Sequence, residues 1–304
     1  MSHARDFSSY VPQLLGLMPG QAASLVGAVE PHQTYEVRDK IAQFRTVKTQ
    51  VQENQPLRVI AQHLHLHHEE TTTTQNPQAG DNQKICYFIR HGEGTHNVAQ
   101  RNWRSDPKWD GSSEPYTLHT DAHGKYLDAE LNDTGIAQAR ALQERASTLS
   151  PQLLVVSPLR RATRTGLVAF EEQISNGLNV VALELLHETA GRHTCDRRLS
   201  RTALQETFPQ VNYSEIDSEE DPLWGDGMTR ESNLSIATRA SQFTEWLASR
   251  PEQRIAVATH SGFLCALFTS VLQYASSQEQ EHVPSPWFGT GEMRAMRLTF
   301  AAKC

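Results

Sequence analysis

The run Ile85-Cys86-Tyr87-Phe88-Ile89 limits the possible folds more than any other stretch of the chain. Its apolar residues follow one another without alternation, so both faces of the segment need cover. That is the mark of a strand inside a sheet with helices on either side. The run stops at Arg90-His91-Gly92. A cation and an imidazole at the tip of a buried strand are costly unless they have partners or a task. Gly92 allows a sharp turn or a close backbone approach. In open α/β sheets, ligands sit at the carboxyl ends of strands. A phosphate there would satisfy Arg90 and give His91 something to attack.

From Lys84 onward strands alternate with helices. Leu153–Val156, Val180–Leu183 and Ile255–Ala258 read as further buried strands. A helix begins at Asn132-Asp133-Thr134-Gly135 and repeats apolar residues at Ile136, Ala139, Leu142, Ala146 and Leu149. Another runs from Glu231 to Ser249, burying Leu234, Ile236, Phe243, Trp246 and Leu247, and a third spans Phe263 to Leu272. Arg294 to Phe300 alternates in polarity, which suits a final edge strand. The pattern predicts a three-layer α/β/α sandwich around a mostly parallel central sheet with an edge strand. Asn102 to Asp128 reads as a long loop, a feature that is often functional. Its His119, Asp121 and His123 match no defensible metal spacing.

Residues 1–83 are expected to form an N-terminal extension, and 84–304 the catalytic domain. Tyr35 to Gln52 has helical spacing at Val37, Ile41, Phe44, Val47 and Val51. The tract His63 to His68, with Glu69, Glu70 and Thr71 to Thr74 behind it, reads as a polar linker rather than a metal site. The 304-residue chain carries 28 Lys and Arg against 35 Asp and Glu, a formal net charge of -7, which argues against a general nucleic-acid binder. No window has the apolar length of a membrane span, and Met1 to Asp6 starts no secretory signal. Cys86, Cys195, Cys265 and Cys304 lie far apart, which fits a reducing, cytoplasmic setting. Cys195 has no adjacent base to activate it.

The other strand ends are also polar. Leu153–Val156 runs into Ser157-Pro158-Leu159-Arg160-Arg161, where Ser157 suits an N-cap and Pro158 the first helical position. Arginines in a first helical turn oppose the helix dipole, and a bound anion would relieve that conflict. Ile255–Ala258 ends in Thr259-His260-Ser261-Gly262, and the loop after Val180–Leu183 carries Glu188. Each residue has a bland explanation: hydrogen-bonded core histidines, an arginine paired with a structural carboxylate, a surface glutamate. Their gathering at one edge of one sheet points instead to phosphoryl chemistry. That chemistry needs an in-line nucleophile and cations around the phosphoryl oxygens. Neutral imidazole supplies the first, and arginine forks supply the second without a metal.

These motifs resemble the histidine phosphatase superfamily, the phosphoglycerate mutase-like proteins. They are Arg90-His91-Gly92 with Asn97, Ser157-Pro158-Leu159-x-Arg161-Ala162 with Thr165, and Thr259-His260-Ser261-Gly262. The segment Glu188 to Arg198, Ser218 to Asp221 and Leu223-Trp224 are similar to its plant and fungal branch. The resemblance covers Lys84 to about Leu272. It implies that His91 is the phosphorylated nucleophile and that Arg90, Arg161 and His260 bind the phosphoryl group. Asn97 and Ser261 would also contact the phosphoryl group, and Glu188 would be the proton donor; by its position just after an apolar strand Glu184 is the nearest competitor, with a structural role favoured. The expected activity is a cofactor-free, metal-independent phosphomonoesterase acting on a small phosphorylated metabolite. A phosphoglycerate mutase and a non-catalytic phospho-ligand binder are the alternatives. Two departures stand out: Gly94 where many members carry Ser or Thr, and Arg164 where Gln is common. The acidic stretch Asp217 to Asp221, as a lid, would disfavour highly charged substrates.

Overall fold

The computed structural model describes residues 31–64, 82–274 and 285–302. A seven-stranded sheet runs in the order β4-β3-β5-β2-β7-β1-β6. The strands are β1 (Leu57–Leu64), β2 (Gln83–Arg90), β3 (Leu153–Val156), β4 (Val180–Ala182), β5 (Arg254–Thr259), β6 (Gln273–Tyr274) and β7 (Met293–Ala302). β4, β3, β5 and β2 are mutually parallel; β7 runs antiparallel to β2 and β1, and β6 is parallel to β1.

The unalternated run behaves as its composition requires. Cys86, Tyr87, Phe88 and Ile89 are all fully buried. Cys86 and Phe88 enter one core with Val155, Val257 and Leu298, while Tyr87 and Ile89 enter a second with Leu154, Ala256 and Ala295. Two cores separated by one sheet make three layers. Helices α1 (Pro31–Asn54), α7 (Asn233–Ser249) and α8 (Ser261–Ala266) supply the first core, through Phe44, Phe243 and Phe263. Helices α3 (Asp133–Ser147) and α4 (Arg160–Ala169) supply the second, through Leu142 and Leu167. The remaining helices are α2 (Thr95–Arg104), α5 (Glu171–Ser175) and α6 (Arg201–Thr207). No helix among the described residues is long and apolar enough to cross a membrane.

Three expectations need correction. Arg294 to Phe300 is not an edge strand, because β7 lies between β2 and β1 with Ala295, Met296 and Leu298 fully buried. Its outer neighbour is β1, in a stretch the sequence pattern assigned to an extension. The expected helix there is present as α1, with Ile41, Phe44 and Val51 buried at the expected spacing. Helix and strand thus share the core and sheet of the residues after 84. Ser157 is not an N-cap either: α4 starts at Arg160, and Leu159 precedes it without a side-chain bond. Asp128 fills that role from a distance, its Oδ1 accepting from Arg160 N–H at 2.9 Å. Of the tract His63 to His68, the first residue and Leu64 close β1, and the rest lies outside the described residues, as do residues 275–284 of the polar stretch before Pro286.

Candidate active site

Strand register decides which residues meet. Arg90 pairs with Thr259 across β2 and β5, and Val156 with Ala258 across β3 and β5. His91, Ser157 and His260 therefore leave the sheet as neighbours. His91 N–H donates to Thr259 O at 3.0 Å and Ser157 N–H to Ala258 O at 2.9 Å, carrying the ladder one step further. The loop after β2 is clamped from α3 and α4. Gly92 N–H donates to Thr165 Oγ1 at 3.0 Å, and Glu93 N–H to Gln138 Oε1 at 2.8 Å. A side chain on Gly92 would meet the Gly135 carbonyl oxygen at 2.4 Å, so its close approach is to the start of α3.

His91 is presented as a neutral imidazole. Its Nδ1 lies 2.7 Å from Gly92 O, which can only accept, so Nδ1 carries the hydrogen. The lone pair is left on Nε2, to which Arg161 Nε–H donates over a long 3.4 Å. Burial first, then the charges of Arg161 and Arg90, hold the ring's pKa well below the ordinary histidine value. His260 lies 5.1 Å away between ring centroids. Its Nε2 shares a 2.8 Å bond with Ser157 Oγ, and its buried Nδ1 has no partner. Burial, then Arg161, also drives its pKa well down.

The arginines are held differently. Arg161 is 1% exposed and fixed by Nη1 to Cys195 O at 2.5 Å and Nη2 to Asp196 Oδ1 at 2.6 Å. The bland explanation of a structural partner is therefore realised, yet that partner aims Nε at His91. Burial works against the charge on Arg161, but Asp196 more than offsets it and the pKa rises. Asp196 also receives Arg230 Nη2 at 2.8 Å, and its pKa lies far below the carboxylate range although burial opposes this. Arg90 Nη1 donates to Phe288 O at 2.6 Å with the guanidinium 5.7 Å from the Trp287 ring centroid. Its Nε is buried without a partner. Burial lowers its pKa to about 10, which leaves it cationic at neutral pH.

Glu188 reaches the site from the loop after β4. Oε1 accepts from Thr189 N–H at 2.8 Å and Oε2 from Gly262 N–H at 3.1 Å, in the first turn of α8. It also interacts electrostatically with Arg90 and Arg161. Ser261 is buried at the first position of α8, directly after His260. Asn97 is engaged elsewhere: its Oδ1 accepts from Gly94 N–H at 2.9 Å and closes the turn into α2. Arg164 lies over the Phe208 ring, 4.8 Å from its centroid.

Glu184 is bound to Arg198, at 3.0 Å from Nε. Arg198 also donates to the carbonyls of Ser218, Glu219 and Glu220, so the acidic stretch is wound around a buried guanidinium. Glu184, His187 and Asp221 are the one group among the described residues with metal-type donors within 4.8 Å of one another. Its chemistry does not fit a metal. His187 Nδ1 faces Glu188 O at 2.9 Å and Nε2 faces Asp221 Oδ2 at 3.2 Å. Both partners can only accept, so both nitrogens donate and no lone pair remains. Asp121 likewise serves structure, accepting from Thr194 Oγ1 and Tyr126 N–H. Cys195 is buried, and burial raises its thiol pKa well above the ordinary value.

Sequence reasoning missed His96, whose ring centroid is 5.8 Å from that of His91, and Asp196 and Arg230, which brace Arg161. Asp196 lies inside the motif Glu188 to Arg198, but nothing in the sequence ties it to Arg161, 35 residues away.

Residues 114–285 match the model of the histidine phosphatase superfamily (branch 1), more than half of the chain. The protein belongs to that superfamily. Among its relatives, a phosphoglycerate mutase-like protein of Arabidopsis thaliana is 33% identical over 216 residues, 62% of this chain and 74% of the relative. A probable phosphatase of Schizosaccharomyces pombe is 28% identical over 210 residues, 67% of this chain and 87% of the relative. A mycobacterial glucosyl-3-phosphoglycerate phosphatase, solved as a complex with VO3, aligns at 22% identity and a TM-score of 0.42, over 73% of this chain and 98% of that one.

Proposed function

We propose that the protein is a metal-independent phosphomonoesterase that works through a phosphohistidine at His91, on a small phosphorylated metabolite of the cytoplasm. One observation carries the reading. Arg90 Nε, His260 Nδ1 and His96 Nδ1 are buried nitrogens without partners, on residues close to His91: the His96 and His260 rings lie 5.8 and 5.1 Å from its ring, and the charge of Arg90 acts on it. Buried donors without acceptors are costly, and the oxygens of one phosphoryl group would satisfy such a set.

In the first step Nε2 of His91 attacks phosphorus in line with the ester oxygen. The P–O bond breaks, its electron pair stays on the leaving oxygen, and Glu188 supplies the proton. Nδ1–H stays on Gly92 O and keeps the ring in the nucleophilic tautomer. Arg90 and Arg161 balance the equatorial charge, the part a metal plays in other phosphoryl-transfer sites. In the second step water attacks phosphorus and Glu188 takes its proton; the P–Nε2 bond breaks, its electron pair returns to His91, and phosphate leaves.

A mutase is the second reading. His91 and His260 are 2% and 0% exposed, and a shielded phosphohistidine favours transfer back to an organic hydroxyl over hydrolysis. A panel of phosphorylated metabolites assayed for phosphate release, with bisphosphoglycerate-primed mutase activity in parallel, separates the two. Phosphate release without isomerisation is expected, and isomerisation without net release would replace the phosphatase by the mutase.

A further inference from the structure

His96 is the only buried residue of α2. A short amphipathic helix ordinarily buries an aliphatic side chain, and a buried histidine ordinarily has its nitrogens bonded. His96 meets neither expectation. Neither ring nitrogen has a hydrogen-bond partner among the described residues, and Nδ1 is wholly buried. The ring lies 5.8 Å from His91 and edge-on to Tyr116 at 6.0 Å, with Arg161 and Arg90 among the charges acting on it. It lies in the first turn of α2, where the helix dipole, like those two arginines, favours the neutral imidazole.

Gly94 supplies a second, independent observation. A Cβ there would lie 2.6 Å from His96 Nδ1 and 2.7 Å from Cε1. The missing side chain is what lets the ring lie where it does. The departure noted in the sequence, Gly94, is therefore linked to His96: any larger residue there would collide with the imidazole.

We propose that His96 is a further catalytic residue, whose ring N–H donates a hydrogen bond to a non-bridging phosphoryl oxygen during transfer to His91, and that Gly94 seats it by lacking a side chain. No bond forms or breaks at His96, and its proton stays on the ring. The inference rests on His91 being the nucleophile.

His96→Phe keeps the ring volume and the edge contact with Tyr116 but has no N–H. Three readouts on the full chain test it: ester turnover, orthovanadate affinity by calorimetry, and thermal melting. The expected result is a fall of about 100-fold in kcat/KM, the usual effect of losing one preorganised donor. Vanadate affinity should fall by about tenfold. His96→Gln, which retains an N–H, should recover part of both. Gly94→Ala should cause a similar loss in the parent and none in a His96→Ala background, because the two act as one unit. Turnover and vanadate affinity of His96→Phe both within about threefold of the parent would overturn the proposal, since donors of this kind contribute far more. Should His91→Ala keep parental turnover, the functional reading fails, and the vanadate arm still decides whether His96 touches the anion. A parent that neither binds vanadate nor hydrolyses esters overturns both.

Discussion

Gly262→Ala tests how Glu188 is placed without altering any ionisable group. A Cβ at this position would sit 2.2 Å from Glu188 Oε1, 2.9 Å from Thr189 Oγ1 and 3.0 Å from Glu188 Cδ. An ordinary contact begins near 3.4 Å, so the carboxylate has to retreat by about 1.2 Å. A catalytic group moved by about 1 Å loses on the order of a hundredfold in rate. The fold should tolerate the change, since alanine in place of glycine inside a helix gains up to about 1 kcal/mol of propensity. A proton donor matters in proportion to the need of the leaving group. Glycerol or sugar phosphates should therefore slow by roughly a hundredfold, while p-nitrophenyl phosphate, whose phenolate leaves unaided, should slow far less. Steady-state kinetics on both substrate types, with a thermal melt as control, is the assay. An equal slowing of both, or no slowing of either, would refute the assignment of Glu188 as the acid. Glu184 is engaged by Arg198 instead.

Three further outcomes are expected. Arg161→Lys should lose about a hundredfold or more of activity and most vanadate sensitivity, because an ammonium cannot hold Cys195 O and Asp196 while also facing His91; vanadate titration of parent and variant checks this. Burial opposes the charge of His187, but Asp221 outweighs it and raises the pKa above 6.5. The stabilisation is then fully present below the unfolded value of 6.5 and fades as pH rises through the folded pKa. His187→Gln should cost about 3 kcal/mol at acid pH and less at alkaline pH, read from denaturant melts across that range. Exhaustive chelation should leave phosphate release unchanged; loss restored by one specific metal would reject the metal-independent mechanism.

The parts of the structure legible in the sequence are those whose signal is local. β2, β3 and β5 announce themselves as unalternated runs, and their polar tips mark the site because parallel register aligns them. Helix α1 was legible from Val37, Ile41, Phe44, Val47 and Val51, since a helix is read from its own spacing. What was not legible depends on partners distant in the chain. Strand β1 shows an irregular burial pattern with only Val59 and Ala61 fully covered, so nothing in its own residues says sheet; pairing with β7 makes it one. The same absent partner made β7 read as an edge. Asp128 caps a helix that begins at Arg160, and Asp196 braces Arg161, each more than thirty residues away. The spacing of neighbouring residues carries no trace of such bonds. His96 was hidden for another reason: its meaning comes from two unbonded nitrogens, visible only once the surroundings of the ring are known.

Trapping the intermediate tests the central claim most directly. The enzyme is mixed briefly with a phosphate ester carrying radiolabelled phosphorus, quenched in base, digested and mapped. An acid-labile, base-stable label is expected on the peptide that contains His91, formed as fast as the ester is turned over and absent from His91→Ala. A label on another residue, or His91→Ala turning over substrate at the parental rate, would contradict it.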